Sequence, residues 1–137
     1  EDCLKRLARS VGRQRLVRVL WPERCDGRKE FQKAVDSAAE HCGMVLLDAG
    51  KKGGGHGTRL DLPALRKIVF PVPWMLAGGM AEDVFADLAA FPAESRPAGL
   101  DFNSKLESAP GEKDAALMSA LCRRAADFNL APMPYPD

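Results

Sequence analysis

The chain has 137 residues, a formal net charge of +1 and 28% charged residues, so no polybasic or acidic surface calls for a nucleic-acid partner. Its 46% hydrophobic content is that of an ordinary globular domain long enough to bury a core. No apolar run reaches the roughly 18 residues of a membrane span and no signal-peptide pattern opens the chain, so no membrane partner is expected. Cys3, Cys25, Cys42 and Cys122 are scattered, with no CxxC and no paired histidine of metal-site spacing. That pattern argues for reduced thiols in a cytoplasmic protein and against a metal site.

In chain order, Leu4, Leu7, Ala8 and Val11 form the stripe of an amphipathic helix, closed by Gly12. The sequence opens Glu1-Asp2-Cys3, already inside that pattern, so a piece of something longer is expected. Leu16–Trp21 reads as a strand stopped by Pro22. After Asp26-Gly27, a helix over about 28–42 should present Phe31, Ala34, Val35, Ala38, Ala39 and Cys42 on one face. Met44–Asp48 is an apolar run without alternation, the pattern of a parallel strand buried on both faces. Asp61 and Pro63 suit the first turn of a short helix carrying Leu65 and Ile68. A third strand, Trp74–Ala77, runs straight into Gly78-Gly79. A helix beginning near Ala81 opens with Glu82-Asp83 and turns Val84, Phe85, Leu88 and Ala89 inward. Gly99–Asn103 is the fourth strand and Ser108–Gly111 a turn. A last helix, about Glu112–Phe128, should bury Leu117, Met118, Leu121 and Cys122. Trp21 and Trp74 read as core, and Cys3, Cys42 and Cys122 as helix-face residues.

The order is one helix followed by four βα units over residues 1–130, then a proline-rich tail, 131–137, that cannot be helical. Regular βα repetition is what (β/α)8 barrels show, at roughly 250 residues for eight units. Four units make half a barrel or a small open parallel sheet, and either leaves two strand edges to be paired or covered.

Three βα loops carry candidate chemistry. Asp48 closes the second strand, at the end where α/β folds keep their reactive groups. The loop after it holds glycines at 53, 54, 55 and 57, whose bare N–H groups can approach an anion, though it is neither a Walker A loop nor GxGxxG. Gly78-Gly79 sit at a strand-to-helix junction, either a phosphate cradle or a tight turn with positive φ. Asn103-Ser104-Lys105 add polar donors and one positive charge after the last strand, and barrel phosphate sites are often built by the loops after the seventh and eighth strands.

The runs Leu46-Leu47-Asp48, Gly54-Gly55-His56-Gly57-Thr58-Arg59-Leu60-Asp61, Leu76-Ala77-Gly78-Gly79-Met80 and Leu100-Asp101-Phe102-Asn103-Ser104-Lys105-Leu106-Glu107, with the closing Pro110-Gly111-Glu112-Lys113-Asp114, resemble the carboxyl-terminal half of phosphoribosylanthranilate isomerase. The resemblance implies the second half of a TIM (β/α)8 barrel. The implied reaction belongs to tryptophan biosynthesis, an Amadori rearrangement of N-(5-phosphoribosyl)anthranilate to 1-(2-carboxyphenylamino)-1-deoxyribulose 5-phosphate, with no cofactor and no metal. It assigns Asp48 as the general acid that protonates the ring oxygen, Gly55 and Gly57 to a mobile sixth loop, and Gly78, Gly79, Asn103 and Ser104 to phosphate binding. Lys105 stands where the family usually has glycine, and either adds a phosphate charge or crowds the site. Thr58 replaces a usual lysine, whose charge Arg59 can supply, and Leu62 stands where tryptophan is common.

The family's general base, a cysteine on the first strand, and the arginine of the second βα unit that grips the anthranilate carboxylate have no match here. Cys25 is the weak stand-in, and His56 reads as a loop residue. The expected partners are therefore a phosphorylated small molecule and either an amino-terminal half-barrel or a second copy meeting the strand edges. The expected activity of the lone chain is weak or absent. The alternatives are a non-catalytic half-barrel module for phosphate binding or assembly, and another phosphosugar isomerase or synthase barrel.

Overall fold

The computed structural model describes residues 2–49 and 60–130. It is an α/β fold around a four-stranded parallel sheet. Helix α1 (Asp2–Val11) leads to strand β1 (Val17–Leu20), helix α2 (Arg28–His41) and strand β2 (Met44–Leu47). Then come the short helix α3 (Leu62–Leu65), strand β3 (Trp74–Leu76), helix α4 (Val84–Ala89) and strand β4 (Gly99–Leu100). A hairpin of β5 (Glu107–Ala109) and β6 (Glu112–Lys113) precedes helix α5 (Ala115–Asp127). Among the described residues no helix is long and apolar enough to cross a membrane.

The strands lie in sequence order, β1-β2-β3-β4, each parallel to the next. Their register lines up Leu20, Leu47, Leu76 and Leu100 as one row across all four. Side chains alternate between faces along a strand, so this row and the Val45–Trp74 pair share one face. That face carries the core: Val45, Leu47, Trp74 and Leu76 pack with Phe31, Val35, Ala38 and Ala39 of α2, Leu62 and Leu65 of α3, and Val84, Phe85 and Leu88 of α4. The opposite face, with Val19, Leu46 and Met75, is only half-buried. The expectation that Met44–Asp48 is buried on both faces is corrected here, because the described helices cover one side of the sheet. The all-apolar run reflects a second apolar face that is left open.

Local chemistry sets several boundaries where the sequence puts them. The Asp61 carboxylate accepts the Ala64 N–H at 3.0 Å and starts α3. Gln32 on α2 clamps the backbone of Val69, donating to its carbonyl at 2.8 Å and accepting its N–H at 2.9 Å. This ties α2 to the segment that enters β3.

Other boundaries move. Helix α4 begins at Val84, not near Ala81, and Ala89 faces solvent. The fourth strand is only Gly99–Leu100, and Cys42 caps α2 instead of lying on its face. The stretch expected as a turn and helix start is the β5–β6 hairpin. Helix α5 waits until Ala115 because the Asp114 carboxylate caps it, accepting from Ala116 and Leu117 N–H at 2.8 and 2.9 Å. Leu117, Met118 and Cys122, expected inside, are exposed. The helix instead turns Leu121 and Ala125, with Phe128 beyond its end, toward the core, spaced i, i+4, i+7. Phe128 meets the Phe85 ring at 5.2 Å. The proline-rich tail lies outside the described residues.

Candidate active site

The carboxyl ends of the four strands open onto one cavity of about 480 Å³ on the half-buried face. Its walls include Val19, Trp21, Leu46, Asp48, Gly78, Gly79, Asp101, Asn103, Ser104 and Lys105. Asp48, Gly78, Gly79, Asn103, Ser104 and Lys105, drawn from three loops distant in sequence, are thus brought together. Gly55, Gly57 and Arg59 lie outside the described residues.

Strand register explains the convergence. Past the leucine row, ladder hydrogen bonds continue by one residue: Asp48 N–H donates to Leu20 C=O at 3.1 Å, Ala77 N–H to Leu47 C=O at 2.7 Å, and Asp101 N–H to Leu76 C=O at 2.8 Å. The residues one step beyond the buried row face the other way. Trp21, Asp48, Ala77 and Asp101 therefore form the rim of the open face. Asp48 is half-buried, and it stands between Trp21 on the β1 side and the glycine pair on the β3 side.

Gly78 makes that spacing workable. Its φ is 86°, and a Cβ there would sit 2.8 Å from Asp48 Oδ1 and 2.5 Å from the Ala49 nitrogen. Any other residue would push into the carboxylate and the neighbouring backbone, so the glycine is required by close approach as well as by its left-handed φ. Gly79 follows with φ 61°. Positive φ is what the tight-turn reading asked for. Because α4 is six residues long and starts only at Val84, the dipole expected behind this turn is reduced to a short helix set further back.

On the far wall, Asn103 opens a 3-10 turn, Ser104–Leu106. The loop is braced from behind by the hairpin. Lys113 Nζ donates to the Asn103 backbone carbonyl at 3.0 Å and also to Asn103 Oδ1 and Glu107 Oε1. Glu107 Oε2 in turn accepts the Gly111 N–H at 3.2 Å. The Lys113 ammonium and the Gly111 N–H hold the Glu107 carboxyl below its ordinary range. Asp114 N–H closes the loop on Leu106 C=O at 2.8 Å. Lys105 is exposed and lines the cavity without filling it.

Sequence reading missed two wall residues. Asp101, passed over as strand, places a second carboxylate on the rim. Trp21, taken for core, is half-buried in the wall, with the Arg24 guanidinium 4.1 Å from its ring centroid. Its indole N–H is buried without a hydrogen-bond partner among the described residues. The signal that finds both is the register: Trp21 and Asp101 each follow a leucine of the aligned row, Leu20 and Leu100. Trp74 is core, donating to Ser95 C=O at 3.3 Å.

Cys25 packs against the core and does not line the cavity, and burial together with Glu30 raises its thiol pKa. That environment opposes a thiolate base. Burial also raises Cys42, against the lowering by Arg18 and Arg13, whereas Cys3 and Cys122 are exposed. Among the described residues no three His, Cys, Asp or Glu side chains gather as a metal site. A second cleft, on the helix side between α2 and α3, is mainly apolar and holds none of the candidate residues.

Residues 7–124 match the family described as PRAI, N-(5'phosphoribosyl)anthranilate (PRA) isomerase. The N-(5'-phosphoribosyl)anthranilate isomerase of Maridesulfovibrio salexigens is 40% identical over 112 residues, covering 82% of this chain and 53% of that protein. The enzyme of the same name from Desulfovibrio desulfuricans is 44% identical over 120 residues, covering 87% of this chain and 55% of its own length. The chain thus spans about half the length of these curated relatives. The crystal structure of phosphoribosyl anthranilate isomerase from Thermus thermophilus superposes with a TM-score of 0.53 at 25% identity, covering 92% of this chain and 67% of that one. The fold is therefore of the TIM-barrel type.

Proposed function

The chain belongs to the N-(5'-phosphoribosyl)anthranilate isomerase family, and from that premise we propose that it supplies the acid-and-phosphate side of the isomerase site of tryptophan biosynthesis. In this reading it is the second half of a (β/α)8 barrel, and the site is complete only when further strands pair with β1 and β4. The observation that carries the reading is the shared cavity. One carboxylate at a strand end faces the glycine turn after β3 and the Asn103-Ser104 turn after β4, the two places where barrels of this type grip phosphate.

The chemistry follows from the placement. With the phosphate held by N–H donors at Gly78-Gly79 and Asn103-Ser104, the ribose ring reaches back toward Asp48. The Asp48 carboxyl gives its proton to the ring oxygen as the bond from that oxygen to the anomeric carbon breaks, and the anthranilate nitrogen lone pair takes up the charge as an iminium. A base then removes the proton from the adjacent carbon, and the resulting enol-amine becomes the ketone as the former anomeric carbon takes up a proton and the enol hydroxyl gives one up. Atoms are conserved throughout, so no co-reactant is needed. Cys25 lies outside the cavity, and Asp101, its one other described carboxylate, is exposed and only two residues before the Asn103-Ser104 turn, so in this reading the base comes from the other half. Acid and base act as a unit, and losing either removes most of the rate.

Turnover of the substrate, measured with the chain alone and with an amino-terminal half of a relative added as a separate polypeptide, tests this. Little turnover alone and recovery on mixing are expected. Asp48→Asn in the mixed enzyme should cost at least about a hundredfold in kcat while leaving phosphate-ligand affinity nearly unchanged. Full activity of the lone chain would sink the need for a second half. A non-catalytic assembly module has one observation in its favour, the exposed apolar residues of α1, β1 and α5. It would show association without turnover and no response to Asp48→Asn. A different phosphosugar barrel would turn over another substrate, and the Pro110-Gly111-x-Lys113-Asp114 motif speaks against it.

A further inference from the structure

We infer that Lys113 is a positioning residue for the phosphate loop. Held by Glu107, it fixes the Asn103 amide so that this side chain offers only hydrogen-bond donors to the cavity. The inference rests on the phosphate site proposed above and adds a residue that does not line it.

An asparagine amide has an oxygen that accepts and an NH2 that donates, and a half-turn about its last torsion exchanges them. At an anion site the difference decides the sign of the interaction. One orientation presents two N–H groups to phosphate, the other presents a carbonyl oxygen that repels it. Lys113 settles which one holds. An ammonium group has three donors and no acceptor, and here all three have acceptors: Asn103 Oδ1, the Asn103 carbonyl and Glu107 Oε1. With both oxygens of Asn103 turned to the lysine, the NH2 is the end left for the cavity that Asn103 lines.

The hairpin exists to bring Lys113 back. Lys113 is ten residues after Asn103 in the chain, and the turn at Pro110-Gly111 folds β6 onto β5 so that Glu107 and Lys113 face each other in register. Gly111 takes φ 83° at that turn and donates its N–H to the other oxygen of Glu107. Glu107 is thus anchored at two points, and the lysine it holds cannot swing away without breaking a charge-assisted bond. Asp114, next along, performs a different task by capping α5. The motif Glu107-x-x-Pro110-Gly111-x-Lys113-Asp114 therefore combines a clamp and a cap, separable by mutation. Lys105, the cation that the sequence offers for the phosphate, enters no part of this clamp.

The test uses the full chain and inorganic phosphate, followed by backbone and side-chain amide resonances, with thermal melting measured alongside. In the wild type, phosphate should shift Gly78, Gly79, Asn103 and Ser104. Lys113→Met should weaken phosphate binding about tenfold and abolish the response of the Asn103 side-chain NH2 while sparing that of Gly78 and Gly79. Lys113→Arg should restore most of both. Asn103→Asp keeps the bonds to Lys113 but puts a carboxylate oxygen where the NH2 was, so the protein should melt no lower than wild type and lose the response at this loop. Asp114→Ala should lower the melting temperature and leave phosphate affinity alone. If Lys113→Met binds phosphate as wild type does, or if Asp114→Ala loses binding in proportion to stability, the positioning role is wrong. If the wild type itself shows no phosphate response at either loop, the site proposed above falls, and this inference with it.

Discussion

The middle of the sheet and its flanks are built from similar residues and end up in opposite conditions. Val45 and Leu47 on β2 are fully buried, as is Leu88 on α4, and Leu76 on β3 is 1% exposed. At the flanks, Val17 on edge strand β1 is 54% exposed, Leu7 and Val11 on α1 are 45% and 43%, and Leu117 and Met118 on α5 are 45% and 42%. Scattered exposed leucines are normal on a protein surface. Apart from Val69, 70% exposed ahead of β3, the large exposed apolar residues lie on elements that precede or form edge strand β1 or that follow edge strand β4 of the four-stranded sheet. The centre is a finished core, and the flanks leave apolar side chains in solvent.

The largest effect that would break this contrast is on folding stability. Leu47→Ala should cost about 2–5 kcal/mol, because β2 is packed on both sides by paired strands and covered by α2. Leu117→Ser should stay within about 0.5 kcal/mol, as surface changes do. Urea unfolding of both variants gives the two numbers directly. Comparable losses would mean that α5 is packed by something and that the flank is not open.

That contrast also separates what could be read from the sequence from what could not. Where an element is covered by its own neighbours, pattern and place agree. Phe31, Val35, Ala38 and Ala39 on α2 point where their spacing says, and the Asp61 cap starts α3 where expected. On α5 the apolar residues form a broad stripe, and spacing alone cannot choose its covered part. Phe85, already buried on α4, makes that choice by meeting Phe128. The β5–β6 hairpin was invisible because Glu107-Ser108-Ala109 and Glu112-Lys113 have no strand-like composition; side-chain bonds from Lys113 and Glu107 hold it. Of the candidate site, Asp48, Gly78, Gly79, Asn103 and Ser104 stand out from their place at strand ends and in glycine or polar loops, and the motif resemblance adds roles to them. Trp21 and Asp101 needed the register, which only the paired strands supply.

A smaller effect sharpens the same contrast at the edge. Natural sheets blunt exposed edge strands with charge, lysine above all, and β1 has a single charge, Arg18, beside the exposed Val17. If the flanks are a binding surface, the lone chain should associate with itself as concentration rises. Val17→Lys should return it toward the monomer without moving its melting temperature by more than a degree or two. Light scattering across a dilution series reads this. A wild type that stays monomeric throughout would argue that β1 is a tolerated edge and not an interface.

The smallest effect is confined to the hairpin and depends on pH. Glu107 has its folded pKa depressed below the ordinary 4.5, first by the hydrogen bond from Lys113 and then by that from the Gly111 N–H. A depressed carboxyl stabilises the fold while it is ionised. Its contribution is therefore full above the unfolded pKa and is lost as pH falls through the lower folded value. The hairpin should stay closed at neutral pH and open only below the usual glutamate range. An amide titration of Gly111 locates the midpoint, and Lys113→Met should move it up toward 4.5. Because the group is near the surface, solvent screens most of the effect, and global stability should hardly change with it. The consequence is local: protonating Glu107 releases the hold on Lys113, and Asn103 regains the freedom to turn its oxygen toward the cavity. A midpoint that ignores Lys113→Met would mean that Glu107 is held by the turn alone, and the clamp would lose its inner link.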